Sequence, residues 1–378
     1  MSGAGTAVQG QMSLKVAIRA DASVQMGSGH VMRCLTLADA LRERGAEVAF
    51  ISREHPGNLF SLIEASGHLL LRLPESTSAP DTRLAHAAWL GTTQTEDAQQ
   101  TAAALRQFGD PDWLIVDHYA IDAEWEAILR PMVGRIMVID DLADRRHDCE
   151  LLLDQNFYIS PEQRYRSWVP QSCDLLFGPE YALLRPEFLV AANFSRARDG
   201  RIRRILVFFG GSDPTGETVK ALQAFDLLGW TETEIDVVVG KTNPRNPLIE
   251  ALCDKYANIH FHCQTSDMAH LCATADIAIG AGGSANWERF KLGLPTMIVL
   301  TADNQCETMQ ALAAAGYIRL LGKADEIGPE RIAEALTQIS QCPTQLLEMG
   351  EKCFGLMNGY KGAQYVARIL DRKQTEIE

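Results

Sequence analysis

The chain has no surplus of basic residues, no apolar run long enough to span a bilayer, and no cysteine pair at metal-ligand spacing. Against 35 Lys and Arg stand 49 Asp and Glu, a net charge of −14. Phosphate backbones are held by basic surfaces, so this balance excludes nucleic acid as a general partner. It argues equally against an anionic membrane surface. A small nucleotide remains admissible, because it needs only local donors. None of the nine cysteines forms a Cys-x-x-Cys pair, and no Cys/His cluster has zinc spacing. Scattered thiols of this kind fit a reducing cytoplasm, where we expect the protein to act. Residues 1–12 lack the apolar segment of a signal peptide and are expected to form a disordered tail.

What the chain does have is a repeated pattern. Its 378 residues, 46% of them hydrophobic, suffice for about two ordinary cores. Strand-like runs such as Lys15–Ala20, Glu47–Ser52, Leu69–Leu73, Asp112–Tyr119, Arg135–Asp141 and Leu151–Asp154 alternate with helical spacing. The pattern lapses in a polar, charged stretch between Leu189 and Arg204 and then restarts at Ile205–Phe209. This order predicts an α/β chain with parallel sheets and crossover helices. Its expected parts are an N-terminal domain over 13–195, a C-terminal domain over 202–360 and a tail helix within 361–378.

Ligands of open parallel sheets bind at the carboxyl ends of strands, and both halves place glycines there. In the second half, Ala275–Ile279 runs into Gly280-Ala281-Gly282-Gly283-Ser284 and then a helix from Asn286 to Leu292. Bare N–H groups at a helix start favour a phosphate. Glu288 in the first turn suits the two hydroxyls of a ribose. The alternative is that these glycines serve close packing alone. In the first half, Gly27-Ser28-Gly29-His30 opens a helix. Met32 stands where a dinucleotide fingerprint needs its third glycine, and the Lys-Ser/Thr of a phosphate-binding P-loop is missing. The loop ends instead in an imidazole suited to accept a proton from water; the alternative is that His30 only caps or packs. Asp117-His118-Tyr119 ends a buried strand at the same edge, with either a ligand-facing or a bracing role for each residue. Asp140-Asp141 reads as loop capping and not as a metal site. Amides in Asp303-Asn304-Gln305 suit hydroxyl or acetamido groups, and Trp287 suits helix packing.

In order along the chain, Arg19-x-Asp21, Gly27-x-Gly29-His30-x-x-Arg33, Asp117-His118-Tyr119, Ile139-Asp140-Asp141-Leu142, Leu153-Asp154-Gln155-Asn156, Gly210-Gly211-Ser212-Asp213-Pro214, the Gly280–Arg289 block and Ala302-Asp303-Asn304-Gln305 resemble the nucleotide-sugar hydrolases of pseudaminic acid biosynthesis. The match runs from about Lys15 to about Gly322. It implies two Rossmann-like domains facing across a cleft, the GT-B-like arrangement, with a tail helix that packs back on the N-terminal domain. The implied reaction hydrolyses a UDP-linked 2,4-diacetamido-2,4,6-trideoxy sugar at its anomeric carbon, without metal or other cofactor. The resemblance makes His30 the general base. It assigns the sugar to Asp21, Gly29, Arg33, Tyr119, Asn304 and Gln305, with Asp21, Arg33 and Tyr119 either touching it or only bracing the loop. It assigns the nucleotide to Gly211, Ser212, Thr265, Met268, Gly282, Gly283, Ser284 and Glu288. Ala285 and Asn286 depart from it, standing where relatives often carry hydroxyls. The expected partner is a UDP-sugar, with no nucleic acid or membrane and a monomer favoured. A GT-B glycosyltransferase using the same donor, or a non-catalytic nucleotide-sugar binder, are the competing readings.

Overall fold

The structure, a computed structural model, describes residues 13–76, 82–194 and 197–375; the tail of residues 1–12 lies outside them. The first sheet contains β1 Lys15–Ala20, β2 Glu47–Arg53, β3 Leu69–Leu73, β4 Trp113–Asp117, β5 Arg135–Ile139, β6 Leu151–Asp154 and β7 Asp174–Phe177. Their order is β3-β2-β1-β4-β5-β6-β7. The second sheet contains β8 Arg204–Phe208, β9 Glu234–Val239, β10 Ile259–Cys263, β11 Ile277–Ala281, β12 Thr296–Leu300 and β13 Arg319–Lys323, ordered β10-β9-β8-β11-β12-β13. Every pairing between these strands is parallel. Most strand ends therefore feed a crossover helix that covers one face of the sheet, whereas β5 reaches β6 through a loop without a helix.

Burial on both faces explains the composition of the strands. Along β1, Val16, Ile18 and Ala20 join one core while Ala17 joins the opposite one. Trp113 and Ile115 of β4 likewise oppose Leu114 and Val116. In the second sheet, Ile205 and Val207 lie on one face and Leu206 on the other.

The chain leaves the first lobe earlier than its charged stretch suggests. Leu183 packs in the first core, but Ala182 and Leu184 pack beside Trp287 and Phe290 of the second lobe. Phe188, on the helix Pro186–Ala192, is fully buried against Leu206 and Met268. This helix belongs to the second lobe, which corrects the boundary drawn at 195; that residue itself lies outside the described ones. The polar stretch beyond it is also docked. Arg198 donates to the carbonyls of Cys272, Ala275, Leu292 and Gly293, closing the ends of the helices Met268–Thr274 and Ala285–Lys291.

The chain returns to the first lobe near Lys361, whose N–H and ammonium both bond Glu180. The helix Gly362–Thr375 then lays Ala363, Val366, Ala367 and Leu370 into the first core, and the Trp113 indole N–H donates to the Leu370 carbonyl at 3.2 Å. Among the described residues no helix is long and apolar enough to cross a membrane.

Candidate active site

Strand order reverses between β1 and β4 in the first sheet, and between β8 and β11 in the second. Such switch points open crevices at the strands' carboxyl ends. The loop after β1 carries Gly29 and His30, and the one after β4 carries His118 and Tyr119. The turn after β8 carries Gly211 and Ser212, and the one after β11 carries Gly282, Gly283 and Ser284.

His30 begins the helix Gly29–Glu43. Its Nδ1 lies 2.6 Å from Asp117 Oδ1 at the end of β4. Arg33, one turn on, grips the same carboxylate with Nε and Nη2, each at 2.6 Å. Burial pushes the Asp117 carboxyl up, but Arg33 and His30 outweigh it and hold the group well below the usual carboxylate range. An ionised Asp117 has no proton to give, so Nδ1–H donates to it. In the neutral ring this leaves the lone pair on Nε2, which has no partner among the described residues. Arg33 therefore braces the carboxylate that orients His30.

Tyr119 stands edge-on to His30 with centroids 4.6 Å apart. Burial and the Asp141 carboxylate push its phenol well above the ordinary range, so it stays protonated. Asp21 is fully buried. It accepts from Arg19, from Ser52 and from the Arg53 N–H. Arg19 and Arg53 both bond Asp97 in turn. This dry network encloses Asp21 beneath the loop that carries His30. His118 is similarly enclosed, with Nδ1 accepting from Ala120 N–H.

Across the cleft, the two glycine turns differ in what their helices still offer. After β8, Asp213 accepts from the N–H groups of Glu217 and Thr218, so a carboxylate already fills that helix start. Gly211 meanwhile accepts from Gly240 N–H. After β11, no side chain caps the helix Ala285–Lys291. The Asn286 amide donates to the Ala281 and Gly283 carbonyls, tying the loop from below. Gln305 accepts from the N–H groups of Gly282 and Thr301. Its amide oxygen thus holds the loop, while its amide nitrogen donates to Thr301 Oγ1 at 3.2 Å. Asn304 is exposed and its side chain has no partner among the described residues.

Two further groups surround this loop. Arg289 is buried beneath it; among the described residues it bonds only the Ala281 and Ala285 carbonyls, and Nη1 has no partner. Burial lowers it to about 10, so it remains a cation with no carboxylate bonded to it. Gly280 lets it pass: a Cβ there would lie 2.5 Å from Arg289 Nη1. Glu288 receives Arg185 Nε and Nη2 at 2.8 and 3.1 Å. Burial raises its carboxyl against the opposing pull of Arg185. Each oxygen keeps a second lone pair for another donor.

Thr265 accepts from Asp267 N–H, while the Met268 side chain is core and leaves only its backbone for a ligand. Trp287 is buried against Phe290 and serves packing. Asp140 caps its loop through the Leu142 and Ala143 N–H groups, but it is buried against Arg145 and not solvated.

The two walls meet at Gly29, where a Cβ would stand 3.8 Å from Ser284 Oγ. His30 is next in the chain. The structure thus brings together His30, Tyr119 and the Gly282–Ser284 loop, with Glu288 one helical turn behind. Sequence reasoning missed Asp117 as the partner of His30, and it missed Arg185 and Arg289. Asp117 carried a signal, an acid closing a buried strand, and Arg289 stood at the end of the Gly280–Arg289 block with nothing to mark its burial; Arg185 carried none that separates it from surface arginines.

No family model matches the chain. It is 25% identical over 370 residues to the spore coat polysaccharide biosynthesis protein SpsG of Bacillus subtilis, covering 96% of this chain and all of that one. It is 24% identical over 307 residues to the UDP-2,4-diacetamido-2,4,6-trideoxy-beta-L-altropyranose hydrolase of Campylobacter jejuni, covering 80% and 98%. An uncharacterized Methanocaldococcus jannaschii protein is 24% identical over 301 residues, 78% of this chain, which spans just 57% of that protein's length. Among solved structures it resembles Acinetobacter baumannii MurG (TM-score 0.63, 14% identity, 95% and 99% covered). It also resembles the spinosyn rhamnosyltransferase SpnG complexed with thymidine diphosphate (0.64, 17%, 95% and 100%). The chain carries the two-domain α/β architecture of the GT-B glycosyltransferases.

Proposed function

We propose that the protein hydrolyses a UDP-linked 2,4-diacetamido-2,4,6-trideoxy sugar at its anomeric carbon, releasing free sugar and UDP. The observation that carries the reading is the approach of Gly29 to Ser284. It sets the oriented imidazole of His30 against the loop best able to hold a diphosphate. A curated relative of this activity aligned along 80% of the chain supports the choice of reaction and sugar.

In this mechanism His30 Nε2 takes a proton from water as its oxygen bonds to C1, and the C1–O bond to the β-phosphate breaks. The imidazolium is stabilised by Asp117, whose carboxylate is kept ionised by Arg33. UDP departs with the bonding electrons. Its new charge is met by the loop amides and by the cation of Arg289 behind them, donors already in place before the reaction. Glu288 accepts from the ribose hydroxyls beside Arg185, and Tyr119 and Asn304 face the sugar. Gly211, Ser212, Thr265 and the Met268 backbone complete the nucleotide side.

The second reading, a GT-B transferase, is favoured by fold likeness to glycosyltransferases over nearly the whole chain. An acceptor hydroxyl would then replace water. The purified protein should be incubated with a panel of UDP-diacetamido sugars in ¹⁸O water. Label in the free sugar and none in UDP supports hydrolysis at carbon. UDP release that requires an added acceptor alcohol favours transfer, and tight binding without release leaves a sensor.

A further inference from the structure

Beside His30 lies a cluster of rings in which the reaction above gives a part to Tyr119 but none to Trp89 or His86. We propose that Trp89, flanked by His86 and Tyr119, is the wall against which the sugar lies, and that it selects hydroxyl-poor, acylated sugars over hydroxyl-rich ones. The inference rests on the nucleotide-sugar reading and specifies a determinant of its substrate.

The rings form one continuous surface. Trp89 and Tyr119 stack with centroids 5.7 Å apart and planes 28° from parallel. His86 lies 4.5 Å from Trp89 and 5.4 Å from Tyr119. The Trp89 centroid is 6.4 Å from that of His30. A water bonded to Nε2 and the carbon it attacks each add about 3 Å. The reacting sugar therefore sits at the same range from His30 as Trp89 does.

The wall is fixed from beneath. Trp89 belongs to the short 3-10 turn Ala87–Leu90, whose first and last residues are buried. Gly91 closes the turn at φ +71°, and a Cβ there would lie 2.8 Å from His55 Cε1. His55 Nε2 lies 3.6 Å from the buried Asp21. His55 thus lies between the turn that carries Trp89 and the buried Asp21.

Its chemistry is selective. Burial lowers the His86 imidazole below its usual value, so the three rings are neutral near pH 7. Aromatic faces reward C–H and methyl groups and give hydroxyls nothing in exchange for water. A deoxygenated ring with acetamido methyls gains what a hydroxyl-rich ring loses. The Trp89 indole N–H has no partner among the described residues, which leaves a donor for an acyl carbonyl.

The test compares wild type, Trp89→Ala and Trp89→Phe. Each is assayed on UDP-2,4-diacetamido-2,4,6-trideoxyaltrose and on UDP-N-acetylglucosamine, with UDP alone as binding control. Trp89→Ala should lower kcat/KM on the first sugar by about tenfold or more, close the gap between the two sugars and leave UDP affinity unchanged. Trp89→Phe should keep most of the preference. An unchanged preference in Trp89→Ala overturns the proposal, as does a wild type with no preference. If wild type releases UDP from neither sugar, the hydrolase reading falls and calorimetry decides the wall alone. Intact sugar nucleotide binding more tightly than UDP in wild type but not in Trp89→Ala sustains it, and an equal difference in both removes it. Should Trp89→Ala fail to fold, Trp89→Leu carries the same comparison.

Discussion

Gly29 and Ser284, 255 positions apart in the chain, face each other with room for one methyl group between them. Gly29→Ala should be accepted, because its Cβ would reach ordinary contact distance. Gly29→Leu should wedge the lobes. We expect it to melt near wild type and to lose most of its turnover, as read by UDP release and differential scanning calorimetry. Full activity in the leucine variant would mean that the lobes need not approach here.

His30→Asn should retain UDP affinity while kcat falls roughly 10²–10⁴-fold. Asp117→Asn should lower kcat in the same direction, since an amide cannot stabilise the imidazolium. Because the Asp117 carboxyl is held below its unfolded value, its contribution to stability is full above about pH 4 and is lost as pH falls toward the folded value. Wild type should therefore lose stability in acid more steeply than Asp117→Asn. Parallel pH–melting curves for the two would contradict the ion-pair geometry.

Asp154 supplies the opposite sign. Burial, with Asp141 and Asp140 nearby, raises its carboxyl well above the usual value. The folded state then binds this proton more tightly than the unfolded one. Stability from this group is complete below about pH 4 and declines as pH climbs toward the folded value. Asp154→Asn keeps an acceptor for the Asn156 N–H and removes the titration. The variant should gain on wild type as pH rises through this window, measured by urea unfolding at several pH values.

The glycine loop separates packing from ligand contact. A Cβ on Gly282 would lie 2.7 Å from Met309 Cγ and 3.1 Å from Gln305 Oε1, whereas one on Gly283 meets nothing within 4 Å. Gly282→Ala should cost about 1–3 kcal/mol of stability and weaken UDP binding. Gly283→Ala should leave stability alone and weaken UDP by standing where the phosphates lie. Calorimetric titration with UDP, beside thermal melts, distinguishes the two effects.

Removing the carboxylate of Glu288 should loosen UDP and strand Arg185. Glu288→Gln is expected to weaken UDP by roughly tenfold, the scale of one hydrogen bond to a charged group. UMP and 2′,3′-dideoxy-UMP should then bind the variant equally, while wild type prefers the diol. A preference preserved in Glu288→Gln would move the ribose elsewhere.

The alternation of strand and helix was readable because parallel strands covered on both faces become nearly continuous apolar runs. β7 and β13 were missed for the converse reason. Both are edge strands, Asp174–Phe177 being four residues long and Arg319–Lys323 beginning and ending in a cation. The charged stretch after Asn193 suggested a linker, yet Arg198 docks on four carbonyls. Composition reports charge but not the helix ends that receive it. The glycine loops and His30 stood out through residue type and position after a strand. Trp89 and His86 did not, because a polar, weakly patterned segment says nothing of what its rings will face. Arg33, Asp21 and Gln305 were recognised as members of the site, but spacing along a chain does not distinguish the group that touches a ligand from the one that steadies it.

The helix Gly362–Thr375 completes the core of the lobe that begins at Lys15. During synthesis this helix leaves the ribosome only after the second lobe, so the helix Gly29–Glu43 must wait with its apolar flank uncovered while that lobe emerges. The N-terminal half is thereby made dependent on residues beyond the second lobe: a product stopped before residue 362 would carry the imidazole of His30 on a lobe lacking part of its core, prone to associate with its own kind and exposed to proteases.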